Sequence, residues 1–452
     1  MAKQLFGTDG IRGVPGEFPL DDATLFRAGR ALGRYLRPNG GAPRNAAHSG
    51  PVLIGMDTRE SGPHIAGELA AGLASAGVAT ASAGIITTPG VACLVRRRNF
   101  SAGAVISASH NPYHDNGVKL FSHEGMKFPD DLEEQLEAEI LGGTIEPGKA
   151  EWLEADPKLD EEYIEFLRGC LLPGARFVDM KIVLDCANGA AYKLGPQLFR
   201  ALGAKVIAIN NAPDGRNINA NCGSLHPEAL QQRVVAEGAA LGVAFDGDAD
   251  RALFVSASGK FVDGDGVLLA AARYLKSTGQ LKNGRVVGTT MANLGLERAL
   301  EKDGLTLARV PVGDRYVLEE MIREGCNLGG EQSGHIIFLD DATTGDGLLT
   351  ALKMASLVAL RGPLDDLVAG FKVFPQTIRN VKVRSKPPLE SLPEVARALK
   401  DAERALGSSG RVVLRYSGTE PKARVMVEAE RPEDVERWAG AIASAIQAAV
   451  GT

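Results

Sequence analysis

The sequence predicts an α/β protein: three related α/β domains with mixed or parallel sheets, then a smaller C-terminal α+β domain. Three observations carry that prediction. The chain has 452 residues, too many for one hydrophobic core. Strand-like and helix-like runs alternate almost throughout, the pattern of α/β domains with largely parallel sheets. From about Phe371 the order changes to strand, helix, two strands, helix, which suits an α+β layer.

Taken in order, Val52–Met56 reads as a strand, Pro63–Ala76 as a helix and Ala104–Ser107 as another strand. Next come a strand at Ile182–Cys186, a helix over Lys193–Leu202, and strands at Lys205–Ile209 and Leu241–Phe245. A third round has a strand at Val286–Thr289, a helix over Leu294–Lys302 and a strand at Leu305–Val310. The last part reads strand (Thr377–Val383), helix (Leu389–Leu406), two strands (Val412–Tyr416, Ala423–Val427) and helix (Pro432–Ala449). The expected domains are 1–155, 156–257, 258–370 and 371–452. Pro38–Pro51 is mostly Pro, Gly, Asn and Ala without periodicity, which reads as a surface loop or a partly disordered insertion.

Composition narrows the function. A net charge of −6 with no basic block argues against a nucleic-acid partner, and the few aromatics argue against base-stacking surfaces. The five cysteines (Cys93, Cys170, Cys186, Cys222, Cys326) form no Cys-x-x-Cys pair and fit no zinc template. They read as reduced thiols of a cytoplasmic protein. The first residues reach Lys3, Gly7, Asp9 and Arg12 without the apolar core of a signal peptide. The most apolar stretch, Ile65 to Val95, is broken by Glu68 and rich in small residues, so no membrane span is expected.

Ser109 stands at the centre of Ser-Ala-Ser-His-Asn-Pro, just after an apolar run, where a strand stops and a loop opens. No Gly-x-Ser-x-Gly elbow surrounds it. Asp246, Asp248 and Asp250 alternate in a loop after a second apolar strand and can converge on one point. Each like-charge pair at ~4 Å costs on the order of 1 to 4 kcal/mol. A divalent cation removes that cost, and oxygen-only ligands suit magnesium. An EF-hand is excluded by Arg251 at the sixth position and Ala257 at the twelfth. Serine and metal together point to a phosphoserine whose charge the ion offsets. Lys119 lies in an apolar strand-like segment, where partial desolvation lowers its pKa and suits proton transfer; a snorkelling edge-strand lysine fits equally.

Three further loops offer ligand contacts. Glu331 and Ser333, between glycines in Gly-Glu-Gln-Ser-Gly-His, alternate so as to fork onto adjacent sugar hydroxyls, with His335 as an acid/base or phosphate contact. A plain helix-capping loop would use the same residues. Arg415-Tyr-Ser417-Gly418-Thr419-Glu-Pro, with Arg424 after it, brackets hydroxyls and backbone donors between two guanidinium groups, a phosphate cradle without a Walker ending. Arg12, among the glycines of Phe-Gly-Thr-Asp-Gly-Ile-Arg-Gly, is a further phosphate contact or part of a surface turn.

In these five motifs, met in order, the sequence resembles the α-D-phosphohexomutase family over essentially the whole chain. Supporting matches are Ile54–Arg59, Asp185–Ala190 and Val312–Tyr316. The resemblance implies four domains around a central cleft, with Ser109 as the phosphorylated nucleophile. It implies Mg2+ on Asp246, Asp248, Asp250 and the phosphoserine. Arg12, Lys119, Arg251 and His335 would serve phosphoryl and proton transfer. Glu331 and Ser333 would read the sugar; Arg415, Ser417, Gly418, Thr419 and Arg424 would hold the distal phosphate. The opening motif, Gln332 and Cys222–Glu228 resemble the glucosamine branch, implying exchange of glucosamine 6-phosphate and 1-phosphate. Glucose or glucosamine 1,6-bisphosphate would act as activator, and a homodimer fits similar bacterial enzymes. Ser107 stands where many members have Thr, and Tyr416 where Pro or Lys is frequent; neither change removes a donor.

Overall fold

The structure is a computed structural model that describes residues 4–7, 9–37, 48–143, 150, 153–417 and 421–452. Most of the expected Pro38–Pro51 loop lies outside the described residues. The chain forms two compact units, Met1–Thr289 with Val310–Ala369, and Thr290–Arg309 with Gly370–Thr452.

The first unit opens with β1 (Phe6–Gly7), β2 (Gly10–Gly13), α1 (Asp22–Leu36), β3 (Val52–Met56), α2 (Gly62–Ser75), β4 (Thr80–Ile85), α3 (Thr88–Arg97), β5 (Ala102–Ile106), β6 (Asn116–Ser122) and α4 (Asp130–Gly142). Their sheet runs β1-β2-β6-β5-β3-β4. β3 is parallel to β4 and β5, but β6 returns antiparallel to β5 and pairs with β2. The sheet is therefore mixed. β3 and β5 are buried along their whole length, which is why they read as unbroken apolar runs rather than alternating ones. Glu137 of α4 fastens the chain start: its carboxylate accepts the N–H groups of Gln4, Leu5 and Phe6 at 2.6 to 3.1 Å.

α1 begins where the Asp21 carboxylate accepts the Thr24 N–H. It packs on α2 backbone to backbone. A Cβ at Gly29 would sit 2.0 Å from the Leu69 carbonyl oxygen, and one at Gly72 2.1 Å from that of Phe26. Only glycines permit this approach.

A second sheet follows from α5 (Pro157–Gly169), β7 (Lys181–Asp185), α6 (Ala191–Ala201), β8 (Lys205–Ile209), α7 (Glu228–Glu237), β9 (Leu241–Phe245), β10 (Ala252–Ser256) and β11 (Phe261–Val262), in the order β11-β10-β9-β7-β8. β7 is parallel to β8 and β9, while β9 and β10 form an antiparallel pair. The turn joining that pair is the Asp246–Arg251 loop. After α8 (Gly264–Ser277) and β12 (Arg285–Thr289) the chain passes through α9 (Leu294–Lys302) and β13 (Thr306–Val310). It continues with α10 (Asp314–Glu324), β14 (Leu328–Gly330), β15 (Ile336–Phe338), α11 (Gly347–Arg361) and α12 (Leu364–Leu367). β14 is parallel to β12 and antiparallel to β15, so the Glu331–His335 loop is again a strand connection.

The second unit is completed by β16 (Gln376–Lys382), α13 (Pro393–Leu406), β17 (Gly410–Tyr416), β18 (Lys422–Ala429) and α14 (Pro432–Val450). Its antiparallel sheet β16-β18-β17 shares a core with the two long helices through Val395, Val425, Val427, Ala439 and Ile442. α9 is grouped with this unit. Glu428, wholly buried, ties it there: its carboxylate accepts hydrogen bonds from the Leu294 N–H (2.8 Å) and Arg411 Nε (2.5 Å). Arg411 also donates to the carbonyls of Thr290 and Ala292. Among the described residues no helix is long and apolar enough to cross a membrane.

The α1–α2 seam generates a prediction. Gly72→Ala is expected to destabilise the protein by about 1–3 kcal/mol through overpacking, read as a lowered urea midpoint. An unchanged midpoint would mean that the helices separate at no cost.

Candidate active site

Ser109 has φ 52°, a left-handed conformation that is unfavourable for a residue with a Cβ. Its surroundings hold it there. The Ser109 N–H donates to Ser107 Oγ (2.9 Å), and that hydroxyl donates to Asp57 Oδ2 (2.5 Å). Arg59, buried and ion-paired with Asp57, donates from Nη2 to the carbonyls of Ser109 (3.2 Å) and Asn111 (2.6 Å). Asn219 Nδ2 donates to the same two carbonyls at 2.9 and 3.0 Å. Burial raises the Asp57 pKa, with Arg59 and Ser107 opposing it. With its backbone so gripped, Ser109 turns Oγ onto Asp246 Oδ2 at 2.5 Å.

The three aspartates of the β9–β10 turn are all buried, and one carboxylate oxygen from each lies within 4.8 Å of the others. The turn is shaped by Ala249 at φ 53° and by the Arg251 N–H on Asp246 Oδ1 (3.2 Å). Asp248 Oδ2 accepts from Thr88 Oγ1 (2.5 Å) and Lys119 Nζ (2.8 Å). Burial, then Asp250 and Asp248, push the Asp246 pKa well above its ordinary value. Asp248 Oδ1 and Asp250 Oδ1 are shielded from solvent without a hydrogen-bond partner. Orphaned buried carboxylate oxygens in an all-oxygen cluster are what a hard divalent cation satisfies, so the residues fit Mg2+.

Lys119 is 1% exposed, and its Nζ lies 2.8 Å from Asp248, 3.1 Å from Asp9 and 3.6 Å from Asp250. The expectation of a lowered pKa is corrected here. Burial does pull it down, but Asp248, Asp9 and Asp250 outweigh burial and raise it. Lys119 is an ammonium through the neutral range. Asp9 also pairs with Arg12 and with Lys127 (2.5 Å), which reaches Asp314 at 2.6 Å. His110 Nδ1 is 3.3 Å from Ser109 Oγ. Burial, then Arg251 and Arg12, lower its pKa to about 4, so the ring is neutral at pH 7. Arg251 Nε sits 3.7 Å from Asp250 Oδ1 and has no hydrogen-bond partner.

His335 joins this group from the β14–β15 connection, with Nδ1 3.6 Å from Asp250 and Nε2 3.6 Å from Asp314. Burial lowers its pKa, yet Asp250 and Asp314 outweigh burial and raise it. The Gly345 N–H donates to Nε2 at 2.9 Å, so in the neutral ring the proton is on Nδ1 and faces Asp250. In the same loop Ser333 Oγ donates to Glu331 Oε2 (3.4 Å), and Glu331 Oε1 accepts the Gly313 N–H (3.1 Å). Gln332 turns away to Asp263, the cap of α8.

In the second unit Arg415 and Arg424 are direct cross-strand partners on β17 and β18. Burial, then Arg424, lowers the Arg415 pKa; paired guanidinium groups favour an anion between them. Lys386 donates to the Ser417 carbonyl at 2.7 Å. Gly418 and Thr419 lie outside the described residues.

The structure thus brings Ser109, Lys119, Asp246, Asp248, Asp250, Arg251 and His335 together in one unit and sets Arg415 and Arg424 side by side in the other. Sequence reasoning assigned no role to Asp9, Asp57, Arg59, Lys127, Asn219 or Asp314. Asp9, Arg59 and Asp314 lie inside matched motifs, a signal at hand; Asn219 lies in none.

Comparison with known proteins gives concordant matches. Family models described as phosphoglucomutase/phosphomannomutase match alpha/beta/alpha domain I over residues 3–145, domain II over 161–259, domain III over 263–374 and the C-terminal domain over 379–445. A phosphoglucosamine mutase of Solibacter usitatus is 52% identical, covering 100% of both chains. One from Koribacter versatilis is 52% identical over 99% of this chain and 98% of its own. A phosphoglucomutase/phosphomannomutase family protein of Burkholderia thailandensis superposes with TM-score 0.78 at 25% identity, covering 98% of this chain and 99% of that one. The N-acetylphosphoglucosamine mutase of Aspergillus fumigatus, solved with GlcNAc-6P and magnesium, shares the fold at TM-score 0.65 and 19% identity, covering 100% and 96%.

The Ser109 clamp is testable without any substrate. Asn219→Ala is expected to speed amide hydrogen exchange at residues 107–111 by about tenfold, the equivalent of one or two lost hydrogen bonds. Far-UV circular dichroism should not change. Unaltered exchange would show that Arg59 alone holds the loop.

Proposed function

Because the chain belongs to the phosphoglucomutase/phosphomannomutase family, we propose that it interconverts glucosamine 6-phosphate and glucosamine 1-phosphate through a phosphoserine at Ser109. The observation that carries this reading is the clamped, left-handed Ser109, whose Oγ lies 2.5 Å from Asp246 in a cluster of three buried aspartates. The sugar specificity rests on the full-length phosphoglucosamine mutases at 52% identity.

In the proposed cycle, phosphorylated Ser109 gives its phosphoryl group to the 1-hydroxyl of glucosamine 6-phosphate, whose proton leaves to a protein base. The Oγ–P bond breaks as the O1–P bond forms. The resulting 1,6-bisphosphate turns over, Ser109 Oγ takes the phosphoryl group from oxygen 6, and that oxygen regains a proton. A free sugar 1,6-bisphosphate loads an unphosphorylated Ser109 by the same transfer. Asp246, Asp248 and Asp250 are the residues that would hold Mg2+, which when bound offsets charge on the phosphoryl oxygens.

The other groups divide the work by their charge. Lys119, kept protonated by its carboxylates, is an electrostatic partner and proton donor rather than the resting base. His335 is the second proton carrier, with Nδ1–H directed at Asp250. Arg251, whose buried Nε has no hydrogen-bond partner, and Arg12 are the proposed contacts to phosphoryl oxygens. Glu331 and Ser333 are the proposed readers of the sugar hydroxyls. Arg415, Ser417, Gly418, Thr419 and Arg424 are the proposed holders of the phosphate not in transfer.

Isomerisation of glucosamine 6-phosphate is the direct test, with Mg2+ and a trace of sugar 1,6-bisphosphate, for wild type and Ser109→Ala. Wild type should prefer the amino sugar over glucose and mannose phosphates, and Ser109→Ala should lose at least about 10³-fold in rate, as expected when a nucleophile is removed. Equal or better turnover of glucose or mannose phosphate would reassign the substrate, and full activity of Ser109→Ala would overturn the mechanism. Treatment with EDTA should abolish turnover and added Mg2+ restore it; activity that persists in EDTA would exclude the metal role of the aspartates.

A further inference from the structure

Away from the phosphoserine site, three ligand-type side chains meet where α1 packs on α2. Asp22 opens α1, and His64 and Glu68 stand one turn apart on α2, a spacing that puts both on one face. One donor atom from each lies within 4.8 Å of the others, and His64 Nε2 is 2.8 Å from Asp22 Oδ1. Asp22 and His64 are about half exposed, at 52% and 57% of their side chains, so the cluster opens to solvent on one side.

The second observation concerns Glu68 alone. It is 4% exposed, and its Oε2 is fully shielded with no hydrogen-bond partner. A shielded carboxylate oxygen without a donor is costly, and Asp22 brings a second negative charge to the group. The Gly29–Gly72 seam fixes the helix backbones at this place. An ordinary His64–Asp22 ion pair accounts for two of the three residues and leaves the glutamate unexplained. A cation between them accounts for all three.

We propose that Asp22, His64 and Glu68 form a second metal site that takes a divalent transition-metal ion of the zinc class and ties α1 to α2. One imidazole and two carboxylates suit such an ion, whereas the all-oxygen aspartate cluster suits magnesium. Water completes the coordination on the exposed side, and His64 ligates as a neutral imidazole through a ring nitrogen that carries no proton.

The test is equilibrium dialysis of the full chain against Zn2+ with excess Mg2+ present to occupy the aspartate cluster, followed by metal analysis. Wild type is expected to bind one more zinc per chain than His64→Ala and than Glu68→Gln, and to gain several degrees in melting temperature on zinc addition that both variants lack. His64 is an exposed residue, so His64→Ala tests the site even where Glu68→Gln disturbs packing. Phosphosugar turnover in Mg2+ should be unchanged in both. Retention of the extra zinc by either variant, or its absence from wild type, overturns the proposal.

Discussion

Three aspartates buried within a few ångströms of one another are the constraint on which the first unit depends. Asp246, Asp248 and Asp250 repel, and a protein interior offers little dielectric relief. The surroundings answer that repulsion from several directions. Lys119 arrives from β6, Thr88 from the start of α3, and Arg251 from the next position in the turn. His335 comes from a third sheet. Those elements must meet for the charges to be tolerable, so folding of the α/β domains and assembly of the site are one problem.

The same cluster explains why the cations are not interchangeable. Lys119 is surrounded by carboxylates and stays charged, whereas His110, buried and facing Arg251 and Arg12, is driven neutral. His335 is held between both influences, with acidic neighbours on one side and a backbone N–H at Nε2 on the other. Three nitrogen-bearing side chains within one site are thus pushed in different directions, Lys119 and His335 upward and His110 downward. Burial and the balance of nearby arginines and aspartates set each one.

Much of this was legible in the sequence, for a physical reason. Ser109, the aspartate triplet and Glu331–His335 each occupy a short contiguous loop after a buried strand, so motif and placement are written together. The strands Lys205–Ile209 and Leu241–Phe245 were readable residue for residue because both are apolar runs with clear stops. What escaped depends on distant partners. The Lys119 charge state needs Asp9 and Asp248, over a hundred residues from one another. The reversal of β6 in the first sheet depends on which strands it pairs with, and side-chain alternation is the same in either direction. α9 looks like any α/β helix until Glu428, far along the chain, is seen to bind its first turn. Leu389 looked like a helix start, but Pro393 begins α13, after a short turn the apolar pattern runs straight through.

The carbonyl of Ser109 is held by Arg59 from the stretch matched as domain I and by Asn219 from the stretch matched as domain II. The backbone of Ser109 is therefore held in common by the two domains. A gene fragment carrying the serine motif does not carry the whole of its support, and neither does its neighbour. A chain in which one of these domains is exchanged for a relative's keeps this grip on the Ser109 loop only if residue 219 still reaches the carbonyls of residues 109 and 111.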